Sequence, residues 1–433
     1  MDRDATRRRF LAGTATAGAV TVAGCFGGEG SDDEPGDEPA DGGYELWALD
    51  QGRDNIHFYE PDGDDFEHTD TLDVNDLEGV PDEGVVPHMI AFSSDYEYAA
   101  VACTAGARTL VFRTEDKELV GNLETGAGSH MAAFSPDDEY VHVDVIDEET
   151  IVRVEADLEN EELEIDDELY LPNDETVQEA GIDSAAPICH MFDDRGRSVH
   201  TLGPSYHDAG LVIVDHEEFT VDVAHPGEEV PTNCGTMPHP TDSKFYLTAG
   251  LPSDPEEGVE GVGDLYVYDT AEDEVIEHKS TRGIDAHGYW YTPDGEELWV
   301  LNRETNDGIV VDPGTDEIVE EIDAYGPAQD DDPAESDAPD ILWSSPDGEY
   351  MFVTLRGPSP LSGDPHAATG VTPGVSVLDV ESREIETVLE PDPIEEYTDE
   401  EIEDEDTPTP DFHGLGVRPI GEYDTEIATS PPF

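Results

Sequence analysis

A histidine recurs in this chain at one fixed distance from a turn. It appears in Pro87-His88-Met89-Ile90-Ala91-Phe92-Ser93-Ser94-Asp95, in Ser129-His130-Met131-Ala132-Ala133-Phe134-Ser135-Pro136-Asp137 and in Ala286-His287-Gly288-Tyr289-Trp290-Tyr291-Thr292-Pro293-Asp294. Each time the imidazole stands seven residues before the Asp of a Ser/Thr-x-Asp turn. Asp340 holds the same place before Ser345-Pro346-Asp347-Gly348. A repeat that fixes a strand and its turn also fixes where that His lies in space. If the repeats close into a ring, the imidazoles converge, and converging imidazoles suggest a metal. Zn²⁺ takes N, O and S ligands near tetrahedral geometry. Copper is the alternative, because imidazole and soft sulfur favour it.

The candidate ligand set is His88, His130, His190, His287 and His413, with Asp340 in the same register. His190 joins the set only if its strand is shortened. In the next repeat Gly235 is in register beside Cys234, and His239 lies further along the strand. Asp285 and Asp411 each precede a hub His by two residues, so each could orient an imidazole or ligate directly. Cys189, Cys234 and His239 are further candidates for the metal or for its supporting groups. Met89, Met131 and Met191 each follow a candidate His, but successive residues of a strand point opposite ways, which predicts that they pack between repeats. His57, His68, His142, His200, His207, His216, His225, His278 and His366 lack the register and read as surface or loop residues.

The elements that must position these groups are short β-rich runs between Gly/Pro/Asp turns, with no long helical periodicity. Repeats of about forty to fifty residues with this texture indicate propeller blades of four strands each. Units near 84–126, 128–172, 185–227, 232–283, 285–326 and 338–391 give six blades. The run from Tyr44 through Val74 supplies strands for one more but lacks an inner strand, which Asp411–Val417 provides. The expected fold is therefore all-β: a single β-propeller of seven four-stranded blades, closed by a C-terminal strand joining the N-terminal blade. Closure hides strand edges that would otherwise be exposed. Six or eight blades are the alternatives, because the fourth and fifth units are irregular.

The N-terminus reads as an address. Thr6-Arg7-Arg8-Arg9-Phe10-Leu11 matches the twin-arginine export consensus, and Val22-Ala23-Gly24-Cys25 resembles a lipobox whose Cys is lipidated after cleavage. The expected organisation is a signal peptide over 1–24, lipidated Cys25 with an acidic flexible tether over 25–42, the propeller over 43–419 and a tail over 420–433. Export by the twin-arginine route would leave the protein lipid-anchored on the outer face of the cytoplasmic membrane. Cys103, Cys189 and Cys234 then remain, an odd number that allows one disulfide with a spare thiol, or thiols used as ligands.

Charge excludes one class of partner. The formal net charge is −91, from 109 acidic residues against 18 basic ones. Nucleic-acid phosphates need Lys and Arg, so no nucleic-acid partner is expected. The acids are spread over turns and strand faces, a pattern that resembles the proteins of extremely halophilic archaea. At molar salt the Debye length falls to roughly 3 Å and such self-repulsion becomes tolerable.

Leu298-Trp299-Val300-Leu301-Asn302, followed by Val310-Val311-Asp312, resembles the YVTN/YncE-like propeller repeat of exported and surface proteins. The exported chain with hub His and Asp residues also resembles the AztD-type zinc metallochaperones, propellers that pass zinc to a transporter's binding protein. That resemblance implies a zinc carrier or reservoir, with the substrate-binding protein of a metal ABC importer as partner. The propeller of nitrous oxide reductase, whose hub histidines hold a copper-sulfide cluster, is a third resemblance, without that enzyme's cupredoxin domain. A metal-free surface scaffold and a metal-dependent, lactonase-like hydrolase are the competing functions. No nucleophile motif is found, and no enzyme is expected.

Overall fold

The computed structural model describes residues 43–433, apart from 64, 204–209, 233–234, 256, 331, 403–406 and 432. Seven four-stranded antiparallel sheets form the blades of a propeller. Blade one takes its inner strand, Phe412–Ile420, from the C-terminal region and pairs it with Gly43–Asp50. The remaining inner strands, in chain order, are Pro87–Phe92, Ser129–Phe134, Ala186–Phe192, Thr236–Pro238, Ala286–Tyr291 and Pro339–Ser344. The expected signal peptide, lipobox and tether, with Cys25, fall on residues outside the described ones. No described helix is long and apolar enough to cross a membrane.

The repeated turn has a local cause. Ser93 Oγ donates to Asp95 Oδ1 at 2.7 Å and accepts from the Tyr98 amide at 3.0 Å. Ser135 with Asp137, and Ser345 with Asp347, close their turns the same way. The side chains thus supply the hydrogen bonds that the reversing backbone lacks. A left-handed residue, such as Gly295 (φ 70) or Gly348 (φ 76), completes such a turn.

Blades pack through large apolar side chains. Trp290 stacks on Trp343 with ring centroids 3.9 Å apart, and Trp47 meets Phe58 and Phe92 edge-on. The outermost strands carry the charge: Glu162–Tyr170 alternates exposed acids with half-buried Leu163 and Ile165. The C-terminal segment returns to the ring at a turn: Phe433 packs on Tyr291, and the Glu426 and Ile427 amides donate to Pro293 O.

One irregularity recurs where the candidate ligands sit. The pairing of inner with second strand slips between Pro87 and Met89, Ser129 and Met131, Pro187 and His190, Ala286 and Tyr289, and Pro339 and Leu342. A bulge adds one unpaired residue and breaks the in-out alternation of the strand. His88, His130, His287 and Asp340 fall within these bulges.

Candidate metal centre

The hub histidines converge, joined by backbone contact between neighbouring blades. His413 stacks on His88 with ring centroids 3.7 Å apart, and its Nδ1 lies 3.1 Å from His88 O. Gly414 permits this approach: a Cβ there would stand 2.4 Å from His88 O. Gly288 does the same beside His287, where a Cβ would meet Asp340 O at 2.2 Å. His88 Nε2 is 2.8 Å from His130 Nε2, and His88 Nδ1 is 2.8 Å from Gln51 Oε1.

Two groups of buried His and Asp hold one ligand atom each within 4.8 Å of one another. The first is His287, Asp340 and His413. His287 Nε2 lies 3.1 Å from Asp340 Oδ1, and His413 Nε2 lies 3.5 Å from Asp340 Oδ2. Zinc bonds near 2.1 Å set the edge of a ligand tetrahedron at roughly 3.4 Å, close to each of these two contacts, which fall on different oxygens of Asp340. Nδ1 of His413 donates to His88 O, which leaves Nε2 as the lone pair. Burial, and then Arg356, push the His413 imidazole well below its ordinary pKa, so no proton competes for that lone pair at neutral pH. Burial alone would raise Asp340, but Arg356, His287 and Arg303 hold it ionised below the ordinary carboxylate range.

Asp285 and Asp411 do not reach the histidines. Asp285 Oδ2 accepts from Arg303 Nε at 2.8 Å, and Asp411 Oδ1 accepts from Arg356 Nε at 2.8 Å. The arginines in turn face Asp340, Arg356 Nη1 at 2.7 Å and Arg303 Nη1 at 3.5 Å. The predicted His-orienting carboxylates are instead counter-charges for two buried guanidinium groups, a bond for which their length and acidity are equally suited.

The second group is Asp144, His190 and His200. His190 does not hold the hub register. The turn of its blade begins at Asp193, whose amide donates to Arg197 O as the Ser93 amide does to Tyr98 O, so His190 sits two positions further along the strand than His88. There it pairs with His200 on the next strand. Nδ1 of His190 and Nδ1 of His200 each lie 2.6 Å from Asp144, one on each oxygen. His200 Nε2 is 2.8 Å from Ser198 Oγ, which also meets His142 Nδ1 at 3.1 Å. His190 Nε2 is buried without a hydrogen-bond partner. Burial opposes ionisation of Asp144, yet His190 and His200 hold it well below the usual carboxylate range.

Further expectations need correction. His239 is not at the hub: its Nδ1 accepts from the Thr241 and Asp242 amides and its Nε2 faces Pro313 O, which makes it the turn-closing residue that Ser93 is elsewhere. His57, His142 and His200 are buried rather than superficial. Met89, Met131 and Met191 line a cavity with Cys189 and His190 instead of only packing between blades, since the bulges remove the strict alternation. Cys189 Sγ lies 3.6 Å from His130 Nδ1. Cys103 and Cys189 are buried and form no disulfide among the described residues; Cys234 and His207 lie outside them. Residues missed in the sequence are Asp144, His142, His200, Gln51, Arg303 and Arg356. The alternation Val141-His142-Val143-Asp144-Val145 was a usable signal, because it sets His142 and Asp144 together on one face of a strand whose other face is valine.

The chain is a seven-bladed β-propeller with two buried His/Asp groups. It matches no protein-family profile and no curated protein. Among solved structures it is similar to hydrazine synthase of Kuenenia stuttgartiensis, at 12% identity and a TM-score of 0.49, over 71% of this chain and 80% of that one.

Proposed function

We propose that this protein is an exported, lipid-anchored metal-binding propeller that carries or stores zinc at its hub, with copper as the alternative ion. The observation that carries this reading is the group His287, Asp340 and His413: three buried residues that bring one ligand atom each within 4.8 Å of one another. Three protein ligands leave a fourth position for water or for an incoming ligand. Asp340 shares its oxygens with Arg356 and Arg303, and this competition weakens it as a donor. A weakened donor and an open position suit cargo that must leave again. The recipient in this reading is the binding protein of a metal ABC importer, and membrane attachment is through Cys25. Propeller folds serve many functions, so the reading rests on the site. The test is metal content after purification in molar salt, wild type against His287→Ala/His413→Ala. About one zinc per chain, lost in the variant, supports the reading; equal metal in both overturns it.

A further inference from the structure

The chain has six methionines, and four of them meet in one place. Met89, Met131, Met191 and Met237 line a cavity of about 60 Å³ at the ring of inner strands, together with Cys189 and His190. These residues come from the inner strands of four consecutive blades. Elsewhere the core is filled by Val, Leu, Ile and aromatic side chains, with Met351 as the remaining described methionine. Thioether sulfur is a soft, polarizable donor that suits Cu(I) and does not suit Ca²⁺ or Mg²⁺.

A second observation points to a ligand. His190 lines this cavity, is fully buried, and has Nδ1 committed to Asp144. Nε2, the ring nitrogen that Asp144 leaves over, is buried and has no hydrogen-bond partner. A buried imidazole nitrogen without a partner is costly unless something occupies its lone pair. The carboxylate behind the ring fixes the tautomer that exposes that lone pair, as carboxylates behind metal-bound histidines do.

We infer that this cavity is a second metal site, for a soft monovalent ion of the Cu(I) class, held by His190 Nε2, the methionine sulfurs and Cys189. No redox step is involved; Cys189 gives up its proton to solvent if it binds as thiolate. The site is separate from the His287, Asp340 and His413 group in its ligands, although His287 also borders the cavity. Zinc failing to bind at that group would leave this inference standing.

The test is an anaerobic Cu(I) titration of the full chain against bicinchoninate, in molar sodium sulfate because chloride complexes Cu(I). Zinc content is measured in parallel. Wild type should take one Cu(I) per chain. Met131→Leu/Met191→Leu, which preserves volume, should leave the copper with bicinchoninate while zinc content is unchanged. Asp144→Asn, acting through His190, should weaken Cu(I) by about 10–100-fold. Near-UV circular dichroism checks that each variant is folded. No Cu(I) uptake by wild type, or unchanged affinity in the folded Met131→Leu/Met191→Leu protein, overturns the inference.

Discussion

Nε2 of His88 faces Nε2 of His130 across 2.8 Å, so one of these rings must donate and the other accept. Two protonated rings cannot occupy that geometry. Burial, then His413 and His130, push the His88 imidazole well below its ordinary pKa. His88 and His413 are thus held toward the neutral imidazole, the form a metal requires.

The same logic predicts how stability depends on pH. His142, like His88, is pushed well below its ordinary value, by burial and then by His190. The unfolded imidazole titrates near 6.5, so below that pH the unfolded chain binds protons that the folded one refuses. Stability is therefore complete above about pH 7 and falls as the pH drops, by about 1.4 kcal/mol per pH unit for each such group. Denaturant melts of metal-free protein from pH 8 to 5 should show this slope. His142→Phe should make it shallower; an unchanged slope would remove His142 from the account.

Arg356 is fully buried between Asp340 and Asp411. Its replacement by Leu strands two buried carboxylates and should cost on the order of 3–5 kcal/mol. Replacing Asp411 as well, by Asn, should recover part of that loss. Chemical denaturation of the two variants measures both terms, and additive losses would contradict the coupling.

Gly414 allows the inner strand of blade one to lie against His88 O. Gly414→Ala should destabilise the closed ring by about 1–3 kcal/mol through forced overpacking. A melt indistinguishable from wild type would mean that the strands separate without cost.

At low ionic strength the net charge of −91 acts over a longer range, since the Debye length at 0.1 M salt is about 10 Å. Dialysis from molar salt to 0.1 M should lower the melting temperature markedly. A temperature that stays constant would show that the acidic surface is not under self-repulsion.

The fold was readable because four blades announce themselves by a Ser/Thr-x-Asp turn that closes on its own side chains, with a β-rich strand on either side. Ring closure was also readable, since Tyr44–Asp50 lacked an inner neighbour that Asp411–Val417 could supply. His88, His130, His287 and Asp340 followed from that turn, and His413 from the strand that closes the ring. His190 did not, because its turn begins with Asp193 and the register must be counted from there. The role of the methionines was hidden by the bulges, which a period-two reading cannot see. Asp285 and Asp411 were assigned to imidazoles because their true partners, Arg303 and Arg356, stand just past the ends of the strands Leu298–Asn302 and Tyr350–Leu355, outside the repeat that fixes the histidines.

The central claim is a metal held by His287, Asp340 and His413. Mass-spectrometric metal content on protein purified in molar salt tests it most directly, comparing wild type with His287→Ala/His413→Ala. The account predicts about one zinc per wild-type chain and almost none in the variant. A wild type that holds no metal, and takes up none when zinc is supplied, would contradict it.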